Sequence, residues 1–170
     1  MNLKNICSIC IGWMEDHRDL IEFFKCRCCG FTKLKEEYMI KLSELNPKNF
    51  KLTEEQEKNI IILHEKINKI RALYGKPMTV TSGVRDIEDH KRIYKQKGIT
   101  DESKIPMKSK HLYAQAVDIA DPKGELAKWS HDNIKHLEDI GLWCEDTEVT
   151  KGWVHYQIVS PKSGNRFFKP

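Results

Sequence analysis

A histidine and an aspartate near the middle of the chain are the residues best suited to chemistry. Six residues separate His111 from Asp118, and His155 lies closer to the C-terminus. An imidazole and a carboxylate at this spacing can point into one cavity and hold a divalent metal there. The spacing therefore raises the hypothesis of a metal site, which the surrounding elements would have to position.

Length and composition predict an ordinary globular protein. The 170 residues allow one sizeable core, or a core with a small appended module. With 39% hydrophobic and 32% charged residues, wholesale disorder is not expected. The net charge of +4 is mild, and basic residues alternate with acidic ones, so we predict no nucleic-acid surface. The apolar stretch 6–14 is too short to cross a membrane and lacks a cleavage pattern, so we expect no membrane segment, no signal peptide and synthesis in the cytoplasm.

The N-terminal segment 1–34 contains five of the six cysteines. They include two Cys-x-x-Cys pairs separated by fifteen residues, Cys7 with Cys10 and Cys26 with Cys29. Four thiolates at this spacing are typical of a zinc knuckle, which would be a second, structural zinc site. Buried or free thiols are the alternative, because Cys28 beside the last pair blurs the register. The predicted organisation is a cysteine-rich segment over 1–34 and one domain over 35–170.

Apolar spacing predicts four helices, over 34–45, 53–74, 86–97 and 124–140. The second helix begins at Thr53, which forms a capping box with Gln56, and its apolar face makes it the main core helix. Its apolar face contains residues such as Ile60, Leu63 and Ile67. Helices of this kind must pack against something, and the strands predicted between them are the available partners.

Short strands are predicted over 77–81, 116–120, 142–144 and 153–159. The second strand places Asp118 on one face and its apolar neighbours in the core. In the last strand, alternation puts His155 on one face together with Trp153 and Gln157. The tail beyond 160 is expected to fold back on the body.

Arg85 follows the end of the first of these strands. A planar guanidinium at that place can grip a carboxylate or stabilise a developing oxyanion. A surface ion pair with Asp86 or Glu88 is the alternative.

Three short motifs resemble one group of zinc peptidases. Residues 109–118 fit the pattern S-x-H-x-x-G-x-A-x-D through Ser109, His111, Ala116 and Asp118, with Ala114 in place of the usual glycine. Ser82-Gly83-Val84-Arg85 is similar to the S-G-[YF]-R element of that group, and Trp153-Val154-His155 to its W-x-H. The group comprises the D-Ala-D-Ala peptidases that include VanX, related carboxypeptidases, phage L-Ala-D-Glu endolysins and the Hedgehog signalling domain. The resemblance covers 50–160.

The resemblance implies an α+β fold of the Hedgehog and DD-peptidase type, with a small antiparallel sheet and flanking helices. It implies one catalytic zinc held by His111, Asp118 and His155, whose bound water attacks the scissile carbonyl. Arg85 would bind a substrate carboxylate or the oxyanion, and Ser109 would orient a ligand or a peptide group. The implied function is hydrolysis of peptidoglycan stem peptides by a carboxypeptidase, endopeptidase or endolysin. A phage-type lysin would act at the cell wall.

One part of the expected machinery is displaced. The resemblance places a general base three residues before His155, where this chain has Gly152. The nearest carboxylates are Glu145, Asp146 and Glu148, and we favour Glu145 or Asp146 because they follow a strand beside the site. If the acidic loop is only solvated surface, the alternative is a non-catalytic, zinc-stabilised module that binds peptidoglycan or a protein. The sequence indicates no particular oligomeric state.

Overall fold

The computed structural model describes the backbone of residues 23–25 and 32–34 and the whole of residues 39–169. The first two ranges are strands β1, Phe23–Lys25, and β2, Thr32–Leu34, which pair antiparallel. The predicted thiol ligands Cys7, Cys10, Cys26 and Cys29 lie outside the described residues, so the zinc knuckle and the boundary after residue 34 stay predictions.

Of the helix predicted over 34–45, the described residues confirm only the C-terminal turn, and residues 34 and 39–41 are not helical. Leu34 ends a strand, and helix α1 is a single turn, Leu42–Leu45. Side chains, and not the carbonyls and N–H groups of a helix, are the hydrogen-bond partners of the backbone of Ile40. Its N–H donates to Oδ1 of Asn68 at 2.8 Å, and its carbonyl accepts from Nδ2 of Asn68 and Nε2 of His64. Ile40 is fully buried in this way without being helical.

Helix α2, Glu54–Tyr74, confirms the predicted core helix. The hydroxyl of Thr53 accepts from the N–H of Gln56, whose own side chain accepts from the N–H of Thr53. Gly75 ends the helix in the left-handed conformation that glycine adopts readily. The face predicted to be apolar is buried, and its members are Ile60, Leu63, Ile67 and Ile70.

The second sheet has five strands, which are β3, Val80–Ser82; β4, Ala116–Asp121; β5, Trp143–Glu145; β6, Gly152–Gln157; and β7, Phe167–Phe168. Their spatial order is β3-β4-β6-β5-β7. The pairs are antiparallel except β5 with β7, which is parallel, so the sheet is mixed and the prediction of a purely antiparallel sheet is wrong. The parallel pair arises because the tail folds back, as expected, and its carbonyls accept from the N–H groups of Cys144 and Asp146.

The remaining helices are α3, Ile87–Gln96; α4, Glu125–Asp132; and α5, Ile134–Ile140, with single 3-10 turns at Glu102–Lys104 and Lys110–Tyr113. The single helix predicted over 124–140 is therefore two helices. The break lies at Asn133, whose φ of −122° and ψ of 36° are not helical and whose side chain donates to the carbonyl of Trp129 at 2.8 Å. Asp121 accepts from the N–H groups of Leu126 and Ala127 and so fixes the start of α4.

The core lies on one face of the five-stranded sheet. It joins the apolar face of α2 to side chains that alternate along the central strands, Val117, Ile119, Val154 and Tyr156. The intervening residues of β4 and β6 therefore project from the opposite face. Among the described helices, none combines the length and the apolar character that a membrane crossing requires.

Candidate metal centre

Two of the predicted ligands lie on neighbouring strands at the centre of the sheet. Asp118 on β4 is directly opposite His155 on β6 in the antiparallel register. Residues opposite each other in such a pair project their side chains from the same face. Nδ1 of His155 lies 2.8 Å from Oδ1 of Asp118. Strand pairing alone therefore brings these two residues together.

His111 reaches the same point from a turn instead of a strand. It lies in the 3-10 turn Lys110–Tyr113, and its Nε2 is 3.3 Å from Oδ1 of Asp118. Its Nδ1 donates to the carbonyl of Gly83 at 2.7 Å. Because a carbonyl can only accept, that bond fixes the proton on Nδ1 of the neutral ring. Nε2 is then left with the lone pair that a metal ligand needs.

Groups from elsewhere in the fold hold the turn that carries His111. Nε2 of Gln56 and Nδ2 of Asn59, both on α2, donate at 2.8 and 3.0 Å to the carbonyls of the two residues after His111. The N–H of Arg85 donates to the carbonyl of His111 at 3.2 Å. These contacts matter because a single 3-10 turn has poor internal hydrogen-bond geometry.

The three side chains present ligand atoms at distances that suit a metal ion. One atom from each of His111, Asp118 and His155 lies within 4.8 Å of the other two. Tetrahedral ligands around zinc lie about 3.4 Å apart, close to the 3.3 Å between Nε2 of His111 and Oδ1 of Asp118. Two imidazoles and one carboxylate form a ligand set that zinc accepts, so this group can hold zinc.

The charge states of the cluster also suit a metal. Burial lowers the pKa of His111, which keeps its imidazole neutral at ordinary pH. Burial alone would raise the pKa of Asp118, but His111 and His155 beside it lower that pKa well below its usual range. A neutral imidazole and an ionised carboxylate are the forms that coordinate metals.

Arg85 supports the ligands from the outer side of Asp118. Its Nη2 lies 3.2 Å from Oδ2 of Asp118, while Oδ1 of the same carboxylate faces the histidines. Nε and Nη2 also donate to the hydroxyl of Ser82, at 3.0 and 2.8 Å. Among the described residues, Arg85 forms no ion pair with Asp86 or Glu88, so the surface alternative does not apply.

Gly83 has a position that no residue with a side chain fits. A Cβ there would lie 2.0 Å from the carbonyl oxygen of Leu45, which also accepts from the N–H of Val84 at 2.7 Å. This close approach to the end of α1 fixes the carbonyl of Gly83, the same carbonyl that orients His111. The glycine of the motif is therefore needed for backbone packing and, through it, for the orientation of a ligand.

Comparison with known proteins gives one structural likeness. No protein-family model matches the chain, and no curated protein does. A solved structure is similar. It is the crystal structure of Serratia marcescens L-Ala D-Glu endopeptidase ChiX, with 18% sequence identity and a TM-score of 0.41, covering 71% of this chain and 98% of that chain.

Glu145 is the carboxylate of the acidic loop region that lies beside the predicted ligands. The register of β5 with β6 pairs Cys144 with Tyr156, the residues directly before Glu145 and directly after His155. Burial of its carboxyl raises the pKa of Glu145, the charge of Asp118 raises it further, and His155 acts in the opposite direction.

The other two predicted residues are not drawn into the ligand cluster. Oδ1 of Asp146 accepts from the N–H of Glu148, which closes the loop after β5. Ser109 precedes the 3-10 turn, and its hydroxyl makes no capping hydrogen bond to that turn. Catalytic roles for Arg85, Glu145, Asp146 and Ser109 stay predictions.

Sequence reasoning did not identify Gln56 and Asn59 as supports of the site. Gln56 was recognisable only as part of a capping box, and nothing in the sequence connects either residue with a turn more than fifty positions later. Ala114 ends the same turn with φ 54° and ψ 29°, a left-handed conformation in which glycine is more usual. The departure from the motif at this residue is therefore accommodated in the backbone.

Proposed function

We propose that this protein is a zinc-dependent peptidase that hydrolyses peptide bonds of bacterial cell-wall peptidoglycan. The observation that carries the proposal is the convergence of ligand atoms from His111, Asp118 and His155. Arg85 and Glu145 beside these ligands support it, because a peptidase needs a cation for substrate oxygens and a carboxylate for proton transfer.

Zinc, when bound by His111, Asp118 and His155, lowers the pKa of a water molecule and polarises a carbonyl group. The hydrogen bond from Nδ1 of His111 to the carbonyl of Gly83 sets the tautomer of that ligand. The contact of Arg85 with Oδ2 of Asp118 holds the carboxylate in one orientation.

Glu145 would accept a proton from the attacking water at its carboxylate and deliver it to the leaving amine. Its raised pKa brings its proton affinity nearer to neutral pH, where a general base is most effective. Arg85 uses Nε and Nη2 in its contacts with Ser82 and Asp118, which leaves Nη1 without a hydrogen bond to the described residues. That nitrogen would bind a substrate carboxylate or the developing oxyanion.

Release of free amino groups from purified peptidoglycan tests the proposal. Zinc-loaded protein should release them, chelator-treated protein should not, and added zinc should restore the release. A zinc-loaded protein that releases none contradicts the enzyme assignment and favours the non-catalytic alternative, a zinc-stabilised module that binds peptidoglycan or a protein. Metal content adds a second result, because one zinc per chain accounts for this site and two would also support the cysteine knuckle.

A further inference from the structure

A groove of about 510 Å³ adjoins the metal centre. It is lined by Arg85 and the residues that begin α3, and also by Leu112 and Tyr113, which directly follow the ligand His111. Two lining residues contact the candidate metal centre or its support: Arg85 lies 3.2 Å from Asp118, and Gln56 donates to the turn that carries His111. A concave surface of this size beside a reactive centre is the usual form of a substrate site.

The walls of this groove carry exposed apolar side chains. Ile87 is 53% exposed, Met107 40% and Tyr113 43%, and all three line the groove. Large apolar side chains exposed singly are ordinary, but several around one concavity indicate a binding surface. A ligand with an apolar side would cover them.

The rim of the groove carries two carboxylates, Asp86 and Glu88. Asp86 uses one oxygen to accept from an N–H at the start of α3, and Glu88 forms no ion pair with the described residues. The basic residues that follow on α3 already have partners. Lys91 lies 2.9 Å from Glu102, and Arg92 lies 2.6 Å from Asp89. Neither Asp86 nor Glu88 is therefore neutralised by an ion pair with the described residues.

We infer that this groove binds the peptide substrate on one side of the scissile bond and selects an amine-bearing side chain. The inference rests on the proposed function. Nη1 of Arg85 would bind a peptide carbonyl at the inner end, the apolar walls would cover aliphatic parts of the peptide, and Asp86 with Glu88 would pair with the amine at the rim. The arrangement fits a peptide that combines small apolar residues with one cationic side chain.

Two synthetic peptides test this selection. One is a peptidoglycan stem peptide with lysine as its third residue, and the other is identical except that the lysine amine is acetylated. Binding is measured by fluorescence anisotropy on chelator-treated protein, where no turnover occurs, and kcat/KM is measured on zinc-loaded protein. Acetylation should weaken binding about fivefold, because exposed ion pairs each contribute modestly.

Charge-neutral variants connect that preference to the groove. The double variant Asp86→Asn, Glu88→Gln should bind both peptides equally, and Asn at position 86 can keep the helix cap. Glu54→Gln is the matched control, since Glu54 is also an exposed acid in the first turn of a helix but lies outside the groove. The control should keep the fivefold preference.

The outcomes separate the two proposals. Equal binding of the two peptides by the unmodified protein, or a preference that survives in the double variant, overturns the assignment of the groove. Selective binding that depends on Asp86 and Glu88, with no cleavage of either peptide by zinc-loaded protein, supports the groove and contradicts the proposed peptidase activity. Selective binding with cleavage supports both.

Discussion

The candidate metal centre holds its three predicted ligands in two different ways. Asp118 and His155 are placed by the ladder between β4 and β6, which contains six registered residue pairs. His111 is placed by one 3-10 turn and by a few polar contacts from separate parts of the fold. If one hydrogen bond of the ladder is lost, the remaining bonds still hold the two strands in register. The turn that carries His111 has no such repeated bonds, so the loss of one contact can shift it. Substitutions outside the ligands should therefore affect zinc binding mainly through His111.

The largest effect is expected when a ligand itself is removed. His111→Ala and His155→Ala should each lose zinc and peptidase activity together, because two protein ligands cannot replace three in holding zinc. Metal content and amino-group release measure the two losses. His131→Ala, which removes an exposed imidazole elsewhere, should change neither. Full activity in His111→Ala would refute the metal assignment.

A smaller but still large loss of activity is expected when the predicted general base at the end of β5 is replaced. Glu145→Gln should lower kcat by about 10²–10⁴-fold with zinc still bound, the range typical for loss of a general base. Asp146→Asn should have much less effect, since Asp146 closes a loop. Equal losses in both variants, or none in either, would mean that the base lies elsewhere.

The pH profile gives a separate measure of Glu145. Burial raises the pKa of its carboxyl, and a base must be deprotonated to act, so activity should fall as the pH drops through that raised pKa. The acid limb should accordingly lie above the pKa of an ordinary glutamate, about 4.3. In Glu145→Gln this limb should disappear from the residual activity.

Gly83→Ala should weaken zinc binding through the turn that carries His111. The added Cβ would press on the carbonyl of Leu45, displacing the carbonyl that orients His111 and destabilising the fold by about 1–3 kcal/mol. Zinc affinity should fall about 10–100-fold, as for the loss of other groups that orient a ligand. Denaturant unfolding and zinc titration measure the two effects.

Gly164→Ala is the control for backbone conformation. Gly164, unlike Gly83, has a positive φ, and a Cβ there would meet no atom within 4 Å. This variant should lose about 1 kcal/mol from conformational strain and keep its zinc affinity. Equal zinc affinities in the two variants would contradict the link between Gly83 and His111.

The ligands on the strands were the easier ones to predict from sequence. Alternation in 116–120 and 153–159 placed Asp118 and His155 on defined faces, and the motifs brought them together with His111. Helix α2 was equally accessible because its capping box and its 3.6-residue period agree. Local sequence patterns of this kind predict the position of a side chain when a single helix or strand determines where it points.

Long-range side-chain contacts account for the errors and the omissions. The helix predicted over 34–45 does not include Ile40, because Asn68 and His64 satisfy the hydrogen-bonding groups of its backbone. The roles of Gln56 and Asn59 depend on where α2 meets the turn, which no local pattern records. The parallel pairing of β7 likewise depends on where the tail returns to the sheet.

The smallest effect is expected at Ala114, where opposing contributions nearly cancel. Replacing it with glycine relieves a left-handed alanine, about 1–2 kcal/mol. It also removes a fully buried methyl group, about 0.8 kcal/mol, and adds unfolded-state entropy of about 0.4–1 kcal/mol. Ala114→Gly should therefore change the free energy of unfolding by less than about 1 kcal/mol, with zinc affinity unchanged.

Ala114→Val should be clearly destabilising, because a branched side chain in a left-handed, fully buried position has neither the conformation nor the space it needs. Equal stabilities of these two variants would show that the backbone of the turn is not constrained at this residue.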